Sequence, residues 1–428
     1  MEKKKLVFLT GSGISAESGI PTFRASTDAM WENYDVKTVC THSAWELNYW
    51  HVQQFYNMLR VKYKDVQPNE AHKLIAELEK YYDVTVVTQN VDNLHEKGGS
   101  TNIVHLHGEL MKCCSENDTE NKNYWVTLPQ EGFGESGYEI PEDALAEDGS
   151  LLRPYIVFFE EKVPNMKIAE EIVQEVEDDT LVISVGGDGT FYEVMNGNFQ
   201  REHQVVLSHI PQGTTNDIGH MYGLGKDVIS NINLIVDGEV HDVDICSING
   251  RSFVYVASYG KFMEIPYETP QELKHRLGHM AYLLNGARGI LGRTPRYDIT
   301  YEIDGVKHNG EYSFFIISNA NRIAGINNFY NDVKLDDKKF EVMFCSIKSL
   351  TRLAQAFLTL KTSDIKYVHG IEMYKTDNLR ITFNGDQKPW CLDGEKYDSD
   401  TSTFVFDTKK KVKMLVPKAN VEKLFVNK

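Results

Sequence analysis

Several short runs hold residue types suited to phosphate or proton chemistry. GSGISAESGIPTFR (11–24) follows the apolar run LVFLT directly, and its glycines would let backbone N–H groups approach a pyrophosphate at a helix N-terminus. A strand-to-helix turn with no ligand would have the same pattern. HLHGEL (105–110) carries two histidines, whose side chains titrate near neutrality and can act as bases. Lone histidines are more often structural, which is the reading for His95 and His105. TLVISVGGDGTFYEVMNG (180–197) and PQGTTNDIGH (211–220) again lead from an apolar run into glycine and then an acid, Asp188 and Asp217. In CLDGEKY (391–397) the pair Asp393–Gly394 is a common turn pair, so an ordinary hairpin is the bland reading of Asp393–Gly394–Glu395.

The elements that must position these runs are legible as periodicities. LVFLT (6–10), VTVVTQN (84–90), TLVISVGGDGT (180–190) and VVLSHIPQGTTND (205–217) are continuous apolar runs ending in Gly, Asn or Thr. Buried parallel strands have that texture. NEAHKLIAELEKYY and KIAEEIVQEVEDD space apolar residues by three and four, as amphipathic helices do. After residue 230 the runs alternate around D-G and N-G turns, which indicates antiparallel sheet. Two helices are expected to interrupt it, around ELKHRLGHMAYLLNGARGIL and SLTRLAQAFLTLK. The stretch 115–150 is acidic and turn-rich, a loop or small appended module. The fold class is therefore α/β: a Rossmann-like parallel sheet followed by an antiparallel β-sandwich.

Composition bounds the rest. The 428 residues suffice for two or three domains, and 41% hydrophobic with 25% charged residues is ordinary for a globular protein. A net charge of -17 argues against nucleic acid as a partner, and the small basic run Lys409–Lys413 does not reverse that. The six cysteines contain no C-x-x-C, which fits a reducing compartment. The apolar run in MEKKKLVFLTGSG is too short for a signal-peptide core, and no stretch approaches a membrane span. The expected location is the cytoplasm.

Taken together, GSGISAESGIPTFR, VVTQNVDNLHEKGG (86–99), HLHGEL and LRPYIVFFEEKVP (152–164) resemble, in this order and spacing, the sirtuin family of NAD-dependent protein deacylases, over residues 1 to about 178. The resemblance implies NAD as cofactor and an acylated protein lysine as substrate. It assigns Gly11, Ser12, Gly13, Ser15 and Glu17 to a phosphate loop and Arg24 to the cofactor loop. Gln89, Asn90 and Asp92 fall to the nicotinamide-ribose pocket, and His107 to the catalytic base. The departures carry expectations too. The family's four-cysteine zinc module is reduced to adjacent Cys113 and Cys114, so no zinc is expected. Glu160 stands where the substrate strand usually has Gly, where a charged side chain could hinder docking. Leu59 occupies the position of the arginine that reads acidic acyl groups, with Arg60 one step late. The second half of the dinucleotide fold does not follow residue 178.

In its place GGDGT, PQGTTND and the distant D-G-E resemble, across residues 180–428, the diacylglycerol kinase family of soluble bacterial lipid kinases. That implies ATP and Mg2+ as cofactors, a lipid such as diacylglycerol at a membrane surface as substrate, and a place in phospholipid metabolism. Gly186, Gly187 and Gly189 would bring backbone N–H groups to the ATP phosphates without a Walker lysine. Asp188 and Asp217 become Mg2+-linked carboxylates, and Thr190, Thr214 and Asn216 nucleotide contacts. Glu395 becomes the general base, assisted by Asp393. Asp336 and Asp337 are either structural Mg2+ ligands or exposed turn carboxylates. The N-P-x-S-G strand that opens the family is missing, so each parent has lost the part nearest the junction. The expected division is 1–178, 179–228 and 229–428, with the extreme C-terminus returning to the nucleotide-binding part and sirtuin and kinase strands sharing one sheet. The first reading is a lipid kinase fused to a partial deacylase. A deacylase as the main activity and an inactive nucleotide-binding chimera are the alternatives, and a homo-oligomer stays open.

Overall fold

The computed structural model describes residues 3–21, 34–176, 180–213, 216–225, 227–260, 296–323, 326–327, 330, 332–347 and 369–426. The chain divides into two units, Met1–Gly186 and Gly187–Lys428.

In the N-terminal unit, β1 (Lys5–Thr10), β2 (Asp83–Thr88), β3 (Ile103–His105) and β7 (Leu181–Gly186) form a parallel sheet in the order β7-β1-β2-β3. β1 is buried between neighbours on both sides, which is why its sequence is continuously apolar rather than alternating: Leu6, Val7 and Phe8 are all in the core. β7 follows the junction in sequence, yet it pairs with β1 from Leu6 against Leu181 to Thr10 against Val185. The run 180–190 thus supplies a strand to the same sheet as the N-terminal runs. The helix Glu70–Leu78 starts where Asn69 accepts hydrogen bonds from the amides of Ala71 and His72. The helices His42–Tyr63 and Met166–Gln174 belong to the same unit.

A second, antiparallel sheet joins β4 (Gly108–Ser115), β5 (Val126–Thr127) and β6 (Leu152–Ile156). The stretch 115–150, which lacks periodicity, is organised by its own small core of Cys113, Leu128, Ile140, Ala146 and Leu152. Scattered apolar residues that meet only in three dimensions leave no repeat in a sequence.

The C-terminal unit contains β8 (Val206–Pro211), β9 (Glu239–Ile248), β10 (Arg251–Phe253), β11 (Val256–Gly260), β12 (Tyr297–Ile303), β13 (Val306–Tyr312), β14 (Phe314–Ser318), β15 (Arg322–Ile323), β16 (Ile326–Asn327), β17 (Phe340–Cys345), β18 (Ile371–Thr376), β19 (Asn378–Phe383), β20 (Trp390–Leu392), β21 (Glu395–Tyr397) and β22 (Thr403–Val416). One sheet runs β13-β12-β19-β22, with β9 and β10 beyond the long strand β22; the other runs β18-β17-β14-β11-β20-β21. Cys246, Phe253, Tyr259, Ile299, Tyr301, Phe315, Phe344, Trp390 and Phe406 fill the space between them, the core of a β-sandwich. Near its end β22 pairs in parallel with β8, Met414 against Leu207. The basic run Lys409–Lys413 lies inside β22 beside β9, where Lys411 pairs with Asp244. All six cysteines are buried, and none is in a disulfide. The helices expected around 272–291 and 349–361 lie outside the described residues. Among the described residues no helix is long and apolar enough to cross a membrane.

Candidate functional sites

Two clusters, one in each unit, gather most of the residues singled out by sequence. In the N-terminal unit Gly11 ends β1 in extended backbone and its amide donates to the Val185 carbonyl. The chain then turns into the short helix Ser12–Ser18, stopped by Gly19 at φ 92°. Ser15 is fully buried. Its hydroxyl donates to Asp92 (2.9 Å) and accepts from the Asn90 amide (3.0 Å), joining the glycine loop to the loop after β2. Asp92 also accepts from the Leu94 amide, and burial raises its carboxyl above the ordinary range. Glu17 is exposed and outside this network, and Arg24 lies outside the described residues.

The carbonyls of Gln89 and Asn90 are held by the two histidines of HLHGEL. His107 Nδ1 lies 3.0 Å from the Gln89 carbonyl and His105 Nδ1 2.8 Å from that of Asn90. A carbonyl only accepts, so each Nδ1 carries a hydrogen. For His107 that leaves Nε2 as the basic nitrogen, and partial burial lowers its pKa. His105 instead turns Nε2 to Glu96 at 2.7 Å, and that contact lifts its pKa despite burial. One histidine is tuned as a neutral base and the other as half of an ion pair. The next residue, Gly108, sits at φ 82°, and an added Cβ would lie 2.2 Å from the Tyr155 carbonyl oxygen. Gly108→Ala is expected to destabilise this unit by about 2 kcal/mol or more, read as a lower urea midpoint.

Three departures acquire a physical account. Glu160 has φ 79°, the region that favours glycine, and its carboxylate accepts from the amide and hydroxyl of Ser43 at the start of helix His42–Tyr63. Glu160 thus serves as an acceptor at the start of that helix. Arg60 is fully buried, donating to the Leu110 carbonyl and to Asn57, and burial lowers its pKa to about 10. It is a strut of the core, held away from any acidic-acyl role. Cys113 and Cys114 are successive residues on β4 and so face opposite ways, with burial raising their thiols to about 11 and about 12. Two such thiols do not make a zinc ligand set.

In the C-terminal unit Gly187 caps the helix Asp188–Phe199, whose first turn contains Gly189 and Thr190, both half-buried. Gly186 closes β7 in the other unit. Gly187 and Gly213 approach so closely that a Cβ on Gly213 would lie 2.5 Å from the Gly187 Cα. Only glycine fits there. Asp188 accepts from the amides of Asp217 and Ile218, both at 3.0 Å, tying the GGDGT run to the GTTND run. Asn216, at φ 55°, closes its own loop by accepting from the Gly213 amide and donating to the Gly213 carbonyl. Its side chain holds the loop shut. Thr214 lies outside the described residues.

Asp393 and Gly394, at φ 49° and φ 94°, make the two-residue turn between β20 and β21. The Asp393 carboxylate accepts from the amides of Val254, Tyr255 and Val256 at 2.5 to 3.0 Å. It anchors the turn. Burial raises its pKa to about 6, even against the three amides. Glu395 opens β21 opposite Leu392; its side chain is outside the described part. Burial first, then the charges of Asp217 and Asp393, raise Asp188 to about 7. Asp188 therefore feels two carboxylates from distant parts of the sequence.

A divalent cation placed between Asp188 and Asp217 would relieve this repulsion. Asp336 and Asp337 differ from exposed turn carboxylates. Asp336 is buried and accepts from the Val426 amide, while Asp337 accepts from the Lys339 amide and pairs with Lys375 at 2.8 Å. Sequence reading missed Arg322, whose Nε lies 2.9 Å from Asp217 Oδ1. The strand pattern marks β15 only weakly, and nothing local ties an arginine there to an acid 105 positions earlier.

Comparisons with known proteins follow the same division. A model of the Sir2 family matches residues 11–193. An NAD-dependent protein deacylase of Bacteroides thetaiotaomicron is 47% identical over 174 residues, 41% of this chain and 72% of the relative. One of Helicobacter pylori is 45% identical over 183 residues, 43% of this chain and 73% of the relative. A diacylglycerol kinase of Staphylococcus epidermidis is 31% identical over 259 residues, 60% of this chain and 80% of the relative.

Proposed function

We propose, for a chain that belongs to the Sir2 family through its N-terminal part and to the diacylglycerol kinase family through the remainder, that it is an ATP- and Mg2+-dependent lipid kinase fused to a partial NAD-dependent deacylase module. The observation that supports the kinase reading best is the Asp188 carboxylate accepting from the amides of Asp217 and Ile218, which ties the GGDGT run to the GTTND run. Asp188 and Asp217 would hold Mg2+. A bound cation supplies neutralisation of charge on the transferring phosphoryl group. The backbone of Gly187, Gly189 and Thr190 would bind phosphate oxygens at the start of helix Asp188–Phe199. Glu395, on a turn fixed by Asp393, would take the proton from the lipid hydroxyl as its oxygen attacks. The substrate class proposed is a diacylglycerol-like lipid presented at a membrane surface.

The test is transfer of the γ-phosphate of ATP to diacylglycerol in mixed micelles with Mg2+. Asp188→Ala is expected to reduce the rate by at least about 100-fold. No transfer by the wild-type chain would remove the reading.

A second activity is favoured by the orientation of His107, whose Nδ1 is spent on the Gln89 carbonyl. Nε2 would take a proton from a ribose hydroxyl after nicotinamide leaves, with Ser15, Asn90 and Asp92 shaping the pocket. Nicotinamide release that needs an acylated peptide and disappears in His107→Ala is the expected result. Release that persists in the variant would exclude it.

A further inference from the structure

The run Gly186–Thr190 contains no lysine, so any side-chain cation for the nucleotide phosphates would come from outside it. Arg322, at the start of β15, sends Nε to 2.9 Å from Asp217 Oδ1. The Asp217 side chain is fully buried and that of Arg322 is 12% exposed. Desolvating both groups of such a pair costs about as much as their attraction returns, so stability alone is a weak reason for it. Its location is more informative. Asp217 opens the helix Asp217–Met221, and the amides of Asp217 and Ile218 hold the carboxylate of Asp188. The guanidinium therefore bears on the very carboxylate that would join Asp188 around a cation, beside the glycine contact of Gly187 with Gly213.

We propose that Arg322 is the phosphate-binding cation of this site: it neutralises Asp217 while no metal is bound, and exchanges that carboxylate for a nucleotide phosphate oxygen once a divalent cation replaces it. The inference rests on the kinase reading and adds to it a residue outside the three sequence runs. Arginine suits the exchange, since its planar fork matches a carboxylate and a phosphate equally well and it stays charged throughout.

The exchange makes the two ligands respond in opposite directions, which a merely structural ion pair would not. Arg322→Gln removes the competitor for Asp217, so Mn2+ alone, followed by the electron paramagnetic resonance of the free ion, is expected to bind about tenfold tighter. The same variant loses the phosphate contact, so ATP at saturating Mg2+, followed by titration calorimetry, is expected to bind about tenfold more weakly, the scale of one charge-assisted hydrogen bond. Arg322→Lys keeps a cation and is expected to recover most of the nucleotide affinity. If Arg322→Gln fails to fold, Arg322→Lys carries the test through a smaller loss of ATP affinity with Mn2+ binding no weaker than wild type. Parallel weakening of both ligands, or no change in either, overturns the role of Arg322 while leaving the kinase reading intact. A wild-type chain that binds neither Mn2+ nor ATP overturns both.

Discussion

Lowering the pH from 7 to 5 is expected to destabilise the N-terminal unit by about 2 to 4 kcal/mol. His72 and His95 are buried with their rings 4.9 Å apart, and burial lowers their pKa values to about 4 and about 3. An unfolded histidine titrates near 6.5. Above that value neither state binds a proton and these groups contribute no slope. Between about 6.5 and 4 the unfolded chain takes up protons that the folded one refuses, so stability is lost as pH falls. Each histidine accounts for about 1.4 kcal/mol per pH unit in that window. Asp92, raised by burial, offsets part of the loss. Four of the five tryptophans (31, 45, 50 and 125) lie in this unit, so urea unfolding followed by tryptophan fluorescence reports mainly on it. A midpoint that is flat or rises between pH 7 and 5 would contradict the argument. The C-terminal unit has the opposite sign. Glu341 and Asp188 are raised to about 7 and Asp393 to about 6. Their folded forms hold protons that the unfolded chain has released, so these groups withdraw stability as pH rises from about 4 to 7.

Asp393→Ala is expected to cost the C-terminal unit about 3 kcal/mol or more and to abolish lipid phosphorylation. Its carboxylate receives the amides of Val254, Tyr255 and Val256 in a fully buried place. Removing it strands three donors, each of which carries a desolvation penalty of about 1 to 3 kcal/mol. Asp393→Asn retains the shape but turns a donor toward those amides, so it is expected to fare little better. Thermal unfolding measured by calorimetry gives the first effect, and micelle assays at a temperature where the variant is folded give the second. A variant with wild-type stability but no activity would show that Asp393 acts on the reaction instead of on the turn.

The sequence displays what repeats and conceals what is assembled. β1, β2, β7 and β8 appear as apolar runs because each of these strands is largely buried. The helices Glu70–Leu78 and Met166–Gln174 appear because only one side of each is apolar. The glycine runs, the two histidines and the distant D-G-E fall where expected along the chain. Side-chain allegiance was less legible. Asn216, offered as a nucleotide contact, closes its own loop, and Asp393 holds three amides from the end of a remote strand. Glu160 takes a backbone shape usual for glycine because Ser43 supplies donors for its carboxylate. Arg60 is one residue from a recognition position and yet belongs to the core. Each of these depends on a partner that no local pattern names.

The strand β7 bears on how this protein can be dissected. A fragment ending near residue 178 removes the neighbour that pairs with β1 from Leu6 to Thr10, and the Sir2 family match runs on to residue 193. The bared edge would present unsatisfied amides and carbonyls along one of the most apolar segments of the unit, a template for self-association. A cut near residue 178 is therefore expected to give a self-associating fragment, whereas one placed past Gly186 keeps β1 paired.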